Sequence, residues 1–465
     1  MSTFGKRLAS RYALESDELG TGEGTEAEVV IDPVETGETA VAEVAEADTA
    51  VVEETTELES LEDTHESLEA IHFALESAVR DGGLSSQSAV AYGHALSAAA
   101  RRHGYRKADT PALESIGGAA TAYHGTVALE ADVGKMLSDF WAAIWAQVMK
   151  VFNSIKGWFI KIMDATPKIK ERAVALGKKA DNTSGTASET EIELSLIKDL
   201  GVADKAPNAA VMTAQLALVT AVVGQLSTIV KAGDEPLAKT TEFLKGLTNG
   251  KVDETKLQSV KASVIAKLGG WSDGFKSTTP IKPDRFGDDI TIASSAEMFG
   301  NTAVIVKRLR DADKEGKDNT LGKIVKSSGP SIGAYNPDSK AENKQKFPTL
   351  TVEQVKAISG DIVKWCDGIA AYKAVWQKRS EQFNAMDKEA KAVIASAKKT
   401  AEGDDKSKFI SSVKDAALAQ TQIWRTWTNY ESQIISYAFK TSRALFTYSD
   451  KSLGLFKKEE AKPAT

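Results

Sequence analysis

The sequence predicts an all-α protein, and three observations carry that prediction. Apolar residues recur at three- and four-residue spacing through most of the chain after residue 60. Strand signals are sparse, with Asp289-Ile-Thr-Ile-Ala the single candidate. The breakers Gly269-Gly270, Pro280, Pro283, Gly329-Pro330 and Pro348 gather in one loosened region between 269 and 350. The expected order is an acidic disordered segment over 1–58, a small helical unit over 59–130 and a helical body over 131–465. The body is expected to be elongated or bundled, with halves near 131–268 and 351–450 joined by the loop-rich 269–350.

Charge divides the chain at the second of those boundaries. Residues 1–130 carry 8 Lys/Arg against 25 Asp/Glu, a net of −17, while residues 131–465 carry 50 against 40, a net of +10. All five histidines (His65, His72, His94, His103, His124) precede the boundary and all eight tryptophans follow it. Residues Glu15 to Glu59 hold little besides Glu, Thr, Val, Ala and Gly, which offers too little apolar surface to offset the entropy of ordering.

From Leu61 the pattern changes. Leu68, Ile71, Leu75 and Val79 step at helical spacing and Asp81-Gly-Gly stops the run; Ser86 to His103 and a short stretch near 112–117 complete the small unit. The body opens on an amphipathic stripe of Leu137, Trp141, Ile144, Val148, Phe152, Ile155, Phe159 and Ile162, with lysines opposite, until Pro167 marks a break. Further helices are expected at 189–200, 209–231, 237–247, 253–268, 294–313, 351–401 with a bend, and 406–449. The uncharged stretch 206–230 approaches the ~20 residues of a bilayer span, but Thr213, Gln215, Thr220, Gln225 and Ser227 dilute it, and it reads as a buried helix. The aromatic runs at 141–159 and 424–448 read first as interior stripes. The lysine-backed 137–163 segment also has the composition of an interfacial membrane helix.

These features exclude several function classes. A body without histidine cannot hold a Ser-His-Asp or Cys-His pair or a His-based metal site. No G-x-x-x-x-G-K-[ST] loop occurs, and a single cysteine, Cys366, leaves no internal disulfide or cysteine cluster. The five histidines show no ligand spacing along the sequence, so no metal, cofactor or catalytic residues are expected. The N-terminus lacks the apolar core of a secretory leader. Basic clusters such as Lys307-Arg308-Leu-Arg310 and Lys398-Lys399 read as solvated helix faces.

A repeated triplet remains. Ala-Leu-Glu occurs at Ala13-Leu14-Glu15, Ala74-Leu75-Glu76, Ala112-Leu113-Glu114 and Ala128-Leu129-Glu130; Ser-Leu-Glu occurs at Ser60-Leu61-Glu62 and Ser67-Leu68-Glu69. Neither triplet occurs after residue 130, although the body is also rich in Ala and Leu. A protease reading a small residue, any residue, then Glu would trim the acidic region and leave Ala131 as a new N-terminus.

The stretch Ser67-Leu-Glu-Ala-Ile-His-Phe-Ala-Leu-Glu-Ser-Ala, with Asp81-Gly-Gly-Leu-Ser and Ala112-Leu-Glu-Ser-Ile-Gly-Gly, resembles the propeptide region of internal head proteins of phiKZ-like jumbo bacteriophages. The resemblance is clearest over about 60–135. It implies a virion structural protein, not an enzyme, assembled in the bacterial host cytoplasm and held inside the capsid with other head proteins. It also implies a prohead protease that cuts after small-x-Glu. By that match Ala128, Leu129 and Glu130 form the final cleavage site. Ala13-Leu14-Glu15, Ala74-Leu75-Glu76 and Ala112-Leu113-Glu114 are secondary sites. Body matches at Ala187-Ser188-Glu189 and Ser295-Ala296-Glu297 leave alternatives for the end point. Removing a −17 region leaves a product of +10 that tolerates or weakly contacts packaged DNA. Two rivals stay open: an untrimmed scaffold-type assembly protein, and a membrane-active protein ejected with the DNA that contacts the host membrane through 137–163.

Overall fold

The computed structural model describes residues 33–102, 119–247, 253–269, 289–310, 321–336, 338, 342–400 and 406–456. Its helices are α1 (Pro33–Arg80), α2 (Ser86–Arg102), α3 (Ala119–Asp181), α4 (Ile197–Leu200), α5 (Ala209–Gly224), α6 (Leu226–Gly246), α7 (Glu254–Val264, continued by a π turn Ile265–Gly269), α8 (Leu321–Lys326), α9 (Val352–Ala371), α10 (Lys373–Thr400) and α11 (Lys406–Leu453). Five short strands accompany them: β1 (Glu191–Leu194), β2 (Ile290–Ser294), β3 (Thr302–Leu309), β4 (Gly329–Ala334) and β5 (Gln345–Pro348). The strands form an antiparallel pair, β1 with β5, and an antiparallel sheet in the order β2-β3-β4.

The first departure from the sequence reading is α1. Residues 33–58 were expected to be disordered, and they form the first half of a 48-residue helix. The physical reason is a seven-residue repeat. Val44, Val51, Leu58 and His65 occupy one position of it, and Leu61, Leu68 and Leu75 another, and all seven are buried. A 3.5-residue period keeps a narrow apolar seam aligned with one partner, even when every other position is polar.

That partner is α3, and the two run antiparallel. Leu84 N donates to Thr126 Oγ1, His65 lies against Trp141, and Gln147 Nε2 donates to the Glu54 carbonyl at 3.0 Å and to its carboxylate at 2.6 Å. On α3 the matching seam is Val133, Leu137, Phe140, Ile144, Gln147 and Val151, all buried. The Glu54–Gln147 layer puts polar groups into the seam, a device that fixes register because a slip would strand them.

Helix α3 is 63 residues long and runs without a break through residue 130 and through Pro167. Proline removes one helical hydrogen bond and crowds the preceding turn. Here Ile162, Ala165, Ile169, Ala173, Leu176 and Ala180 are all buried at helical spacing on both sides of it, and packing overrides the expected break. The amphipathic stripe from Leu137 to Ile162 is interior: all eight of its named residues are buried. Phe152 stacks on Phe383 of α10 at 4.2 Å and Phe159 on Trp376 at 4.8 Å. Farther along, Gly177 lets α9 approach closely: a Cβ there would stand 2.7 Å from Ser359 Oγ, whose hydroxyl donates to the Ala173 carbonyl.

Helix α11 is the central pillar of the body and is buried on most of its circumference from Val413 to Ser452. Trp424, Trp427, Tyr430, Ile434, Ala438, Leu445 and Tyr448 pack inside, which confirms the second aromatic run as core. Several of its buried polar groups are paired across to neighbouring helices. Gln420 Nε2 donates to Thr241 Oγ1, Tyr430 OH donates to Gln225, and Glu431 accepts from Tyr372 OH and pairs with Arg379 at 2.6 Å.

Several expected helices are corrected. The stretch 189–200 is strand β1 followed by the single turn α4, because Glu191 to Leu194 pair edge-on with Gln345 to Pro348. Within the stretch 294–313 the described residues form strand β3 over Thr302–Leu309 rather than a helix. Its Ala303-Val-Ile-Val run is buried on both faces of the sheet, so the alternation that betrays a half-buried strand is missing. The Lys307-Arg308 cluster therefore lies on a strand. The candidate at 289–293 is strand β2, as expected. The 351–401 bend occurs at Tyr372, between α9 and α10. The 206–230 segment becomes α5 and the start of α6, parted at Gln225. Residues 209–246 are long and apolar enough to cross a membrane, yet Met212, Leu216, Val219, Val222 and Val223 are buried, and Trp365 Nε1 donates to Thr220 Oγ1. The short helix expected near 112–117 lies outside the described residues.

Candidate maturation junction and its docking face

Helix α1 carries 14 Asp/Glu and a single basic residue, Arg80, over its 48 positions. Midway along its contact with α3 it also meets α8 and α11. The charges there are complementary. Glu62 accepts from Arg425 Nη1 at 3.3 Å, Arg425 Nη2 at 3.2 Å and Gln422 Nε2 at 3.1 Å, with both side chains of the ion pair below one tenth exposed. Asp63 pairs with Lys326 at the surface, and Ser411 Oγ donates to Glu69 at 3.2 Å. Lys414 Nζ sits 5.4 Å over the Trp141 ring, a cation–π contact that links α11 to α3 beneath α1.

Between these helices lies a cleft of about 710 Å³ lined by charged residues from all three, among them Glu66, Glu69, Lys323, Lys326, Lys414 and Asp415. Burial dominates its titration. It holds His65 far below its ordinary range, at about 3, with Lys414 adding to the effect, and pushes Glu69 up to about 7 against the opposing charge of Lys414. Asp415 is pushed up to about 6 by the same cause. His65 Nδ1 and Glu69 Oε2 stand 3.9 Å apart, and burial favours the neutral form of both, the imidazole throughout the neutral range and the carboxyl increasingly as pH falls below about 7.

The small-x-Glu triplets can now be placed. Ser60-Leu61-Glu62, Ser67-Leu68-Glu69 and Ala74-Leu75-Glu76 stand seven residues apart on α1, with Leu61, Leu68 and Leu75 at the same buried seam position. Their repetition is the heptad itself, so packing accounts for half of the clustering. Ala128-Leu129-Glu130 is helical, inside α3, with Glu130 about one third exposed. Ala13-Leu14-Glu15 and Ala112-Leu113-Glu114 lie outside the described residues. Of the body matches, Ala187-Ser188-Glu189 is in an exposed connector where Ser188 N donates to the Leu455 carbonyl. Ser295-Ala296-Glu297 is pinned: Ser295 Oγ accepts from Val304 N and the Glu297 carboxylate accepts from Ala203 N.

The fold brings together one group that sequence spacing did not reveal. His72 and Glu76, one turn apart on α1, converge with Glu130 of α3. His72 Nδ1 lies 3.7 Å from Glu76 Oε1 and its Nε2 3.9 Å from Glu130 Oε1. The available signal was the seven-residue interval between His65 and His72, which places both on the seam facing α3.

An acidic helix clamped by ion pairs onto a basic helical body with an aromatic core defines a structural protein built around internal charge complementarity. The chain belongs to the phiKZ-like phage internal head proteins, whose family model matches residues 27–451. No curated protein and no solved structure matches it. As a member of that family it is a component of the phage head, placed inside the capsid among other head components.

Proposed function

We propose that this internal head protein is matured by a prohead protease, with the final cut after Glu130, and that the +10 product is packaged with the genome. One observation carries the reading. The acidic α1 lies wholly on the N-terminal side of Glu130, while the stripe of α3 that packs against α10 and α11 lies wholly on the C-terminal side. A cut at Glu130 would sever the acidic helix from the body's chain, leaving it held only by its seam with α3 and its ion pairs, and keep that core. A cut at Glu189 would remove Phe152, Phe159 and Ile169 and open the body, so the exposed connector is the poorer end point. Loss of α1 would uncover Lys326, Lys414 and Arg425, the residues it covers or pairs, and leave a surface suited to weak, salt-sensitive phosphate contact. Because proteases bind extended chain, cleavage within α3 requires local opening of its N-terminal end, a step that would time maturation.

The test is the N-terminal peptide of the protein recovered from purified particles. A semi-tryptic peptide beginning at Ala131, with no coverage upstream, is the expected result. Abundant peptides across 33–130 would overturn the reading and leave the untrimmed scaffold-type protein. That rival draws on the burial of Leu68 and Leu75, which integrates α1 into the same apolar core as the body. A membrane-active role after ejection draws on the apolar 209–246 segment and on 137–163, and would require both to leave the core.

A further inference from the structure

We propose that His72, Glu76 and Glu130 form a site for a divalent transition-metal cation that clips α1 to α3. One nitrogen of His72 and one carboxylate oxygen from each glutamate lie within 4.8 Å of one another. Ligand atoms around a tetrahedral Zn²⁺ stand about 3.2–3.5 Å apart, given bonds of about 2.0–2.2 Å. Small side-chain rotations close the difference, and His72, Glu76 and Glu130 keep 16 %, 16 % and 31 % side-chain exposure, enough freedom to make them.

The charge balance points the same way. Neither His72 contact, at 3.7 and 3.9 Å, is a hydrogen bond by length. Among the described residues, His72 is the one ion-pair partner of both carboxylates. Two carboxylates around one imidazole leave a net negative pocket that a divalent cation would neutralise. Imidazole with carboxylates suits Zn²⁺ and its first-row neighbours, and three protein ligands leave a position for water. A His and a Glu one helical turn apart present their donors on one face, and the third donor arrives from the antiparallel helix, so binding ties the two helices together. Glu130 is also the residue at which we place the cut, so an occupied site would withhold that side chain from a protease. That consequence rests on the processing reading; the binding does not.

The experiment uses the uncut full chain, stripped with chelator and titrated with Zn²⁺ by calorimetry, with thermal unfolding in parallel. Wild type is expected to bind one ion tightly and unfold at a higher temperature with it. His72→Ala and Glu130→Gln should weaken that site by more than the 10–100-fold typical of losing an outer-shell partner. Glu130→Gln keeps the side-chain volume and carries the test if His72→Ala folds poorly by circular dichroism. No tight site in wild type, or the same affinity in folded Glu130→Gln, would overturn the proposal.

Discussion

Replacing Glu62 by Ala strips the buried guanidinium of Arg425 of its counter-ion. In the intact protein that guanidinium makes two hydrogen bonds to one carboxylate, at 3.3 and 3.2 Å, and Gln422 makes a third at 3.1 Å. Charge-assisted bonds each contribute roughly 1.5–3 kcal/mol, but the larger effect is the stranded charge. Breaking a buried pair from one side costs about 3–5 kcal/mol. Arg425 cannot reach bulk water without moving α11, which is buried around most of its girth, so the loss falls on α1, the element able to move away. Hydrogen exchange over 54–70 reads the effect directly. A loss of about 3 kcal/mol in local opening free energy speeds exchange by roughly two decades, at 1.4 kcal/mol per tenfold. The double variant Glu62→Leu with Arg425→Leu removes both charges and should recover most of that protection. Exchange in Glu62→Ala within threefold of wild type would refute the argument, since the pair would then be solvated. A double variant as damaged as the single would refute its electrostatic part.

Two more expectations can be checked on the same preparations. In the body, Glu431→Ala should cost about 3–5 kcal/mol in urea unfolding because Arg379, 2 % exposed at its side chain, loses its counter-ion at 2.6 Å, and Tyr372 loses its acceptor; a change under 1 kcal/mol would contradict this. The docking of α1 should also depend on pH in two opposite ways. His65 is held at about 3 against an unfolded value near 6.5, so its contribution is complete above 6.5 and is lost as pH falls toward 3. Glu69, held at about 7 against 4.5, and Asp415, held at about 6 against 3.8, contribute fully below their unfolded values and lose it as pH rises through the folded ones. Between about 4.5 and 6 the two carboxylates outweigh the imidazole, Asp415 still opposes it down to about 3.8, and below that His65 alone acts, at about 1.4 kcal/mol per pH unit. His65→Leu should therefore flatten the acid limb between about pH 3.8 and 3, read from the fluorescence of the adjoining Trp141. An unchanged acid limb would rule His65 out as its source.

Most of the body was legible because its helices are amphipathic with a 3.6-residue period. Leu137 to Ile162 and the aromatic run of α11 announce their buried faces by spacing alone. The misreadings have distinct physical origins. Helix α1 hides a heptad seam built from Val, Leu and two histidines beneath a surface so acidic that composition dominates any window. Strand β3 is buried on both faces, and its Ala-Val-Ile-Val run carries no alternation to set it apart from a helix. At Pro167, contacts made by Ile169 to Ala180 decide the outcome, and no local propensity contains them. Around the proposed cut, the Ala128-Leu129-Glu130 triplet stands in the sequence, but its neighbours His72 and Glu76 lie more than 50 residues away and reach it through the antiparallel pairing. The Leu-Glu triplets of α1 coincide with the seam, whose seven-residue period by itself gives their spacing.

The uninterrupted course of α3 through residue 130 has a consequence for whatever chain remains after a cut there. Residue 131 now sits in mid-helix, where its N–H is satisfied by the preceding turn. Severed at that point, the helix would begin with three amide N–H groups lacking carbonyl partners and with a newly created ammonium, all gathered at the positive pole of the macrodipole. A stretch of mid-helix would thus become a helix start, made by hydrolysis of one bond, with Asp132, an acidic residue suited to the first turn, next in sequence to its new ammonium.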